Sequence, residues 1–209
     1  MDAGTDAGPA LSALGTGEGV DAAVAAARRV VESLLRAGDV SDTDMAEIAG
    51  RLHAVADEVD RDGPSLNARM VHMWRGEGVT RHDPVSGPEN AIAPPLTLRG
   101  KDDGSIEGVV ELGLVYQGPP GYVHGGVSAL LLDHTLGVAN HWAGLSGMTA
   151  ELTLRYLRPT PLFTPLTVAA HQVRVDGRRI WTRGSITAGG QEFVTAEGLF
   201  IATHPERPR

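Results

Sequence analysis

Tyr116-Gln117-Gly118-Pro119-Pro120-Gly121-Tyr122-Val123-His124-Gly125-Gly126 runs directly into Val127-Ser128-Ala129-Leu130-Leu131-Leu132-Asp133-His134-Thr135-Leu136-Gly137-Val138-Ala139. A turn rich in glycine and proline thus delivers the chain into a helix, expected at about 124–141, that is apolar around nearly its whole circumference. That is the pattern of a helix buried on all sides. Two glycines at its start leave backbone N–H groups unpaired at the positive end of the helix dipole. Asp133 is the lone acid in the apolar run, and a buried carboxylate is costly unless it is bonded or does chemistry. Together they read as an oxyanion donor and a general base.

On either side of this helix the hydrophobic period is two. Leu96–Arg99 and Ser105–Tyr116 flank the turn Lys101-Asp102-Asp103-Gly104 and predict a hairpin. Four more strands are expected near 148–157, 165–175, 179–188 and 191–203, with Asp176-Gly177 and Gly189-Gly190 in two of the turns. Ala150, Leu152, Leu154 and Tyr156 alternate with Glu151, Thr153 and Arg155. A central apolar helix wrapped by a curved antiparallel sheet of about six strands is an α+β hotdog fold.

The N-terminal part reads differently. Residues 1–19 have little apolar content and predict a flexible tail. Over 20–61, Val20, Val24, Ala27, Val31, Leu34 and Leu35, then Met45, Ile48, Leu52, Val55 and Val59, recur at helical spacing and predict a helical hairpin. Ser41 with Asp44 resembles a capping box at the second helix. Residues 62–94 are rich in proline and predict an irregular connection over a surface or cleft, with one short helix around Leu66–Trp74. The hotdog unit is expected over 95–203.

Composition narrows the function. Among 209 residues there is no cysteine, so disulfides, thiol nucleophiles and cysteine-based metal sites are excluded. The formal net charge of −8 disfavours nucleic acid and anionic membrane as main partners. No apolar run approaches the roughly 18 residues of a membrane span, and the acidic N-terminus lacks the features of a secretory signal. A cytoplasmic protein is expected. Arg155, Arg158, Arg174, Arg178, Arg179 and Arg183 crowd the C-terminal third and offer charge for a phosphorylated ligand such as coenzyme A, or stand as solvated strand edges. His124, His134 and His141 lack the spacing of a metal site, and His134 and His141 read as surface or interface residues. Gly126-Val127-Ser128-Ala129-Leu130 lacks the last glycine of a nucleophile elbow.

Gly-Pro-Pro-Gly-Tyr-Val-His-Gly-Gly at 118–126, Asp133 nine residues after His124, and Leu-Arg-Tyr-Leu-Arg-Pro-Thr-Pro-Leu at 154–162 resemble the hotdog acyl-CoA thioesterases of the PaaI-like superfamily. Within it they have the look of the human thioesterase-superfamily member 4 type. The resemblance spans about 95–203. It implies hydrolysis of a fatty-acyl or aryl-CoA thioester, with no cofactor. The Gly125 N–H would polarise the carbonyl, with Gly126 behind it and His124 fixing the turn or touching the thioester. Asp133 would be base or nucleophile, assisted by Thr149. Many members of the superfamily carry Asn where this chain has Gly118, so Gln117 beside it is assigned that contact. Leu157-Arg158-Pro159 stands where relatives show Lys-Arg-Pro, so Arg155, Leu157 and Arg158 are the expected substrate contacts.

Spacing adds an independent constraint. Gly125 and Asp133 are eight residues apart, so about 12 Å separates them along a helix axis. Donor and base must both come within about 3–3.5 Å of the reacting atoms. One chain does not meet that condition, whereas two antiparallel helices about a two-fold axis do. A homodimer with two sites, or a dimer of dimers, is therefore expected. The competing readings are a structural acid at Asp133 in a non-catalytic acyl-CoA sensor, and a hotdog enoyl-CoA hydratase pairing an Asp with a nearby His.

Overall fold

The computed structural model describes residues 8–40, 42–69 and 81–202. Its centre is an antiparallel six-stranded sheet of β1 (Thr97–Gly100), β2 (Ile106–Glu111), β3 (Gly147–Tyr156), β4 (Pro165–Asp176), β5 (Arg179–Ala188) and β6 (Gln191–Ala202). The spatial order is β1-β2-β4-β5-β6-β3, and the sheet curves around one long helix at Gly125–Trp142. With α1 at Gly19–Ala37 and α2 at Met45–Arg61, that central helix is α3. This is the hotdog architecture expected from the alternating strands and the apolar helix.

Period two puts Leu166, Val168 and Ala170 of β4, Ile180 and Ile186 of β5, and Val194, Ala196 and Phe200 of β6 on the concave face. Leu131, Leu132 and Leu136 of α3 fill the space above them, fully buried. Each such side chain contributes roughly 1.5–3 kcal/mol by leaving water. Close approach needs two gaps in the sheet. A Cβ on Gly184 would meet the Ala169 carbonyl at 2.7 Å, and one on Gly198 would meet the Phe200 ring at 2.7 Å; Leu136 lies against both.

The structure departs from the sequence reading in several places. The second strand does not run to Tyr116: β2 ends at Glu111, and Leu114–Tyr116 forms a 3-10 turn that swings the chain toward the start of α3. Nor is α3 buried all round. Gly126 and Leu130 are exposed and Asp133 and Gly137 half-buried, a stripe at helical spacing that the chain leaves uncovered. The second helix is capped by Asp44 itself, whose carboxylate accepts from Ala46 N–H (2.9 Å) and Glu47 N–H (3.1 Å); Ser41 lies outside the described residues. Residues 66–69 are helical, and the rest of the expected Leu66–Trp74 helix lies outside the described residues.

Residues 9–12, within the stretch read as a tail, run along β1. Ala10 bridges to Arg99, Leu11 N–H donates to the Leu98 carbonyl (2.8 Å), and Leu98 N–H donates to Ser12 Oγ (3.0 Å). That edge of the sheet is therefore covered. The other edge, β3, is a ten-residue strand that no segment among the described residues covers.

Charges anchor α1 to the connection that follows α2. The buried Asp21 carboxylate accepts from Thr16 N–H, the Thr16 hydroxyl and the Arg81 guanidinium, which also holds Glu89. The Arg81 bond first, and then Thr16 N–H, hold Asp21 at about 2, below its ordinary 3.8. A depressed carboxylate pKa stabilises the fold above the ordinary value and loses that effect as pH falls toward the folded one. The stability difference between wild type and Asp21→Asn is therefore expected to hold above about pH 4 and to vanish as pH falls toward 2, as urea unfolding at a series of pH values will measure.

Candidate functional site

The turn at 117–124 is locked by its own backbone. Gly118 N–H donates to the Tyr122 carbonyl, and His124 N–H to the Tyr116 carbonyl, both at 2.9 Å. Gln117 Oε1 accepts from Gly121 N–H (3.1 Å), so this side chain braces the turn. Gly118 is required here: a Cβ at that position would meet His124 Cα at 2.7 Å. A side chain at 118 would therefore displace the turn.

His124 is the N-cap of α3. Its ring Nδ1 accepts from Gly126 N–H at 3.0 Å, so the neutral ring carries its proton on Nε2. Of the two glycine N–H groups at the helix start, Gly126's is thereby satisfied. Gly125 N–H has no acceptor among the described residues and sits at the positive end of an 18-residue helix. The Gly125 carbonyl accepts from the Tyr156 hydroxyl at 2.9 Å, which ties the helix start to the last residue of β3.

Two turns along α3, Asp133 is half-buried and its Oδ1 accepts from the Thr149 hydroxyl at 2.9 Å. Simple alternation would put Thr149 with Glu151 and Thr153 on the far face of the sheet. A β-bulge between Thr149 and Glu151 inserts Ala150 and turns Thr149 toward the helix. Bulges re-aim side chains in this way, and without it Asp133 would lose this donor.

His134 is more buried than a surface residue. Its ring is mostly buried against the 81–96 segment, with Nε2 3.0 Å from Ser86 Oγ and Nδ1 3.6 Å from Asp83. Burial pushes its pKa below the ordinary value, against the opposing pull of Asp83 and Asp133. His141 is exposed beside Ser146.

Gly125, Gly126, His124, Asp133 and Thr149 thus lie on or against one helix, in two groups separated by two helical turns. The expected substrate contacts are dispersed. Arg155 lies on the sheet face away from α3, in an open groove of about 1030 Å³ shared with Thr153, His171, Arg183 and Glu197. Arg158 Nη1 donates to the Glu192 carbonyl (2.7 Å), and Leu157 is exposed beside it. Within one chain these do not gather around Gly125 or Asp133. Sequence reading missed Tyr156 as a site residue. It counted only as an alternating strand position, and nothing local marks its bond to Gly125.

A thioesterase superfamily pattern matches residues 120–195, which include the end of the turn, α3, β3 to β5 and the start of β6. Residues 11–68 match a second family, described as "Hypothetical protein RHA1_ro05818, N-terminal helical domain". A crystal structure of a thioesterase superfamily protein, RHA08564, is 53% identical over 95% of this chain and 98% of its own, with a TM-score of 0.86. The chain belongs to the thioesterase superfamily. Among curated relatives, the mouse acyl-coenzyme A thioesterase THEM4 is 35% identical over 98 residues, 46% of this chain and 42% of that protein. The Xenopus laevis THEM4 is 32% identical over 91 residues, 43% and 41% respectively. This superfamily chain therefore matches less than half the length of those curated relatives. A Streptococcus pneumoniae hypothetical thioesterase solved with coenzyme A shares the fold at 23% identity and a TM-score of 0.50, over 58% of this chain and 94% of that one.

Proposed function

We propose that the protein hydrolyses acyl-CoA thioesters at two sites, each completed by residues of two subunits. The observation that carries this reading is the pairing, on one helix, of the unclaimed Gly125 N–H with a carboxylate held by Thr149 about 12 Å further along. An antiparallel partner helix brings Asp133 of one chain to Gly125 of the other. The stripe Gly126, Leu130, Asp133 and Gly137 is the surface such a helix would cover, and the bare β3 edge would continue the sheet. The THEM4 relatives support the substrate class. A cytoplasmic homodimer, with an N-terminal helical pair at 20–61, a connection at 62–94 and a hotdog unit at 95–203, goes with this reading.

In the proposed reaction Asp133 takes a proton from water as the oxygen attacks the thioester carbonyl carbon. Negative charge collects on the carbonyl oxygen, opposite the Gly125 N–H and the positive helix end. The C–S bond then breaks, and the thiolate of coenzyme A takes the proton from Asp133. Thr149 orients the carboxylate, His124 caps Gly126 so that the turn keeps its shape, and Tyr156 fixes the Gly125 peptide. Arg155, Arg158, Leu157 and Gln117 are the residues this reading assigns to the coenzyme A portion. A hydratase reading is disfavoured because His134, next to Asp133, is engaged by Ser86 and Asp83.

Thiol release from a panel of short, long and aryl acyl-CoAs tests the activity and names the substrate. Release from at least one member is expected, and none from any would remove the enzyme reading. Tyr156→Phe deletes one hydrogen bond, of about 0.5–1.5 kcal/mol. It is expected to lower kcat about three- to tenfold with KM and Tm nearly unchanged, as steady-state kinetics and thermal melts will show.

A further inference from the structure

Helix α2 is an anomaly in this molecule. It is 17 residues long and none of them is buried. A lone helix of that length is marginal in water, and helices in proteins are held mainly by packing of an apolar face. Yet Met45, Ile48, Leu52, Val55 and Val59 recur at spacings of three, four, three and four, which is the seam of a two-stranded coiled coil. Leu52, Val55 and Val59 are 39%, 58% and 68% exposed. Helix α1 does not cover them; the two helices instead flank an open groove of about 590 Å³ at their elbow, lined by Val30, Leu34, Ala37, Met45 and Ile48 among others.

The residues beside the seam say what covers it. On one side stand Ala49 and Ala56, on the other Arg51 and Glu58, and neither charge forms an ion pair with a described residue. In an antiparallel pair the same side of each helix meets, so Arg51 of one copy faces the partner's Glu58 and the reverse. Parallel pairing would instead set Arg51 against the partner's Ala56.

We propose that α2 pairs antiparallel with α2 of a second copy, about a two-fold axis between His53 and Ala54. Leu52 then faces the partner's Val55, and Ile48 faces the partner's Val59, giving four apolar layers. The alanine side allows the backbones to come close, and the charged side carries two symmetric Arg–Glu pairs. The partner's Val59 enters the elbow groove beside Ile48. This contact is separate from the one proposed along β3, so its loss alone leaves the catalytic reading untouched, whereas a wild-type monomer would overturn both.

Charge exchange tests it in the full-length protein. Arg51→Glu sets Glu against the partner's Glu58 twice and is expected to weaken association roughly tenfold. Arg51→Glu with Glu58→Arg restores the pairs and is expected to return association to the wild-type value. Leu52→Asp with Val55→Asp breaks the central layers, and sedimentation should then show the mass of the assembly at least halved with the circular dichroism of the sheet retained. A wild-type monomer, an unchanged mass in the Asp pair, or loss in Arg51→Glu without rescue would each overturn the proposal. An unchanged mass would mean that the seam serves a different protein or a lipid surface.

Discussion

Replacing Asp133 by Asn is expected to lower kcat for acyl-CoA hydrolysis by about 10²–10⁴-fold, the usual weight of a positioned base. The amide keeps the size of the side chain and an oxygen to accept from the Thr149 hydroxyl, so the β3–α3 contact survives. What is lost is the ability to take a proton from water. KM should change little, since the carboxylate is assigned to chemistry rather than to holding coenzyme A. Thermal stability should stay close to wild type, because a half-buried acid with one hydrogen-bond donor exchanges for a neutral isostere. Kinetics and thermal melts on the same preparation separate the two effects. Full activity in Asp133→Asn would remove the base assignment and place the base elsewhere.

The second large effect is expected from Gly125→Pro. Gly125 is the first residue of α3, a position where proline is favoured because its missing N–H has no partner in the helix. His124 is already extended, with φ −62° and ψ 133°, as a residue before proline must be. A Cβ at 125 would sit 3.4 Å from the Tyr156 ring, so only a small adjustment is needed. The substitution therefore deletes one N–H and little else. Loss of a single oxyanion donor costs about 10²–10³ in kcat. Circular dichroism and melting should stay near wild type while kcat falls. An active Gly125→Pro would show that the donor lies elsewhere.

Much of the hotdog frame was legible, and the reasons are local. Asp176-Gly177 and Gly189-Gly190 mark turns, strict alternation marks the strands, and the leucine run marks α3. What escaped depends on register or on distant partners. The bulge at Ala150 changes which face Thr149 occupies, and no residue type there announces it. Tyr156 meets Gly125 across 31 positions of sequence, so its role appears only once β3 lies against α3. The 9–12 segment reads as tail because its sheet contacts are a few backbone bonds and the Ser12 hydroxyl, which leave no periodic apolar pattern. Burial of α3 was overestimated along Gly126, Leu130, Asp133 and Gly137. Sequence records a face that needs covering, without saying whether the same chain covers it.

The central claim is that each site takes its donor from one subunit and its base from the other. It is tested most directly by mixing two inactive chains, Asp133→Asn and Gly125→Pro, unfolding and refolding them together at equal amounts. About half the dimers are then mixed, and each mixed dimer holds one site with both an intact Asp133 and an intact Gly125, so about a quarter of wild-type activity should return. If donor and base instead act within one chain, no dimer regains a complete site and activity stays at the level of the separate variants.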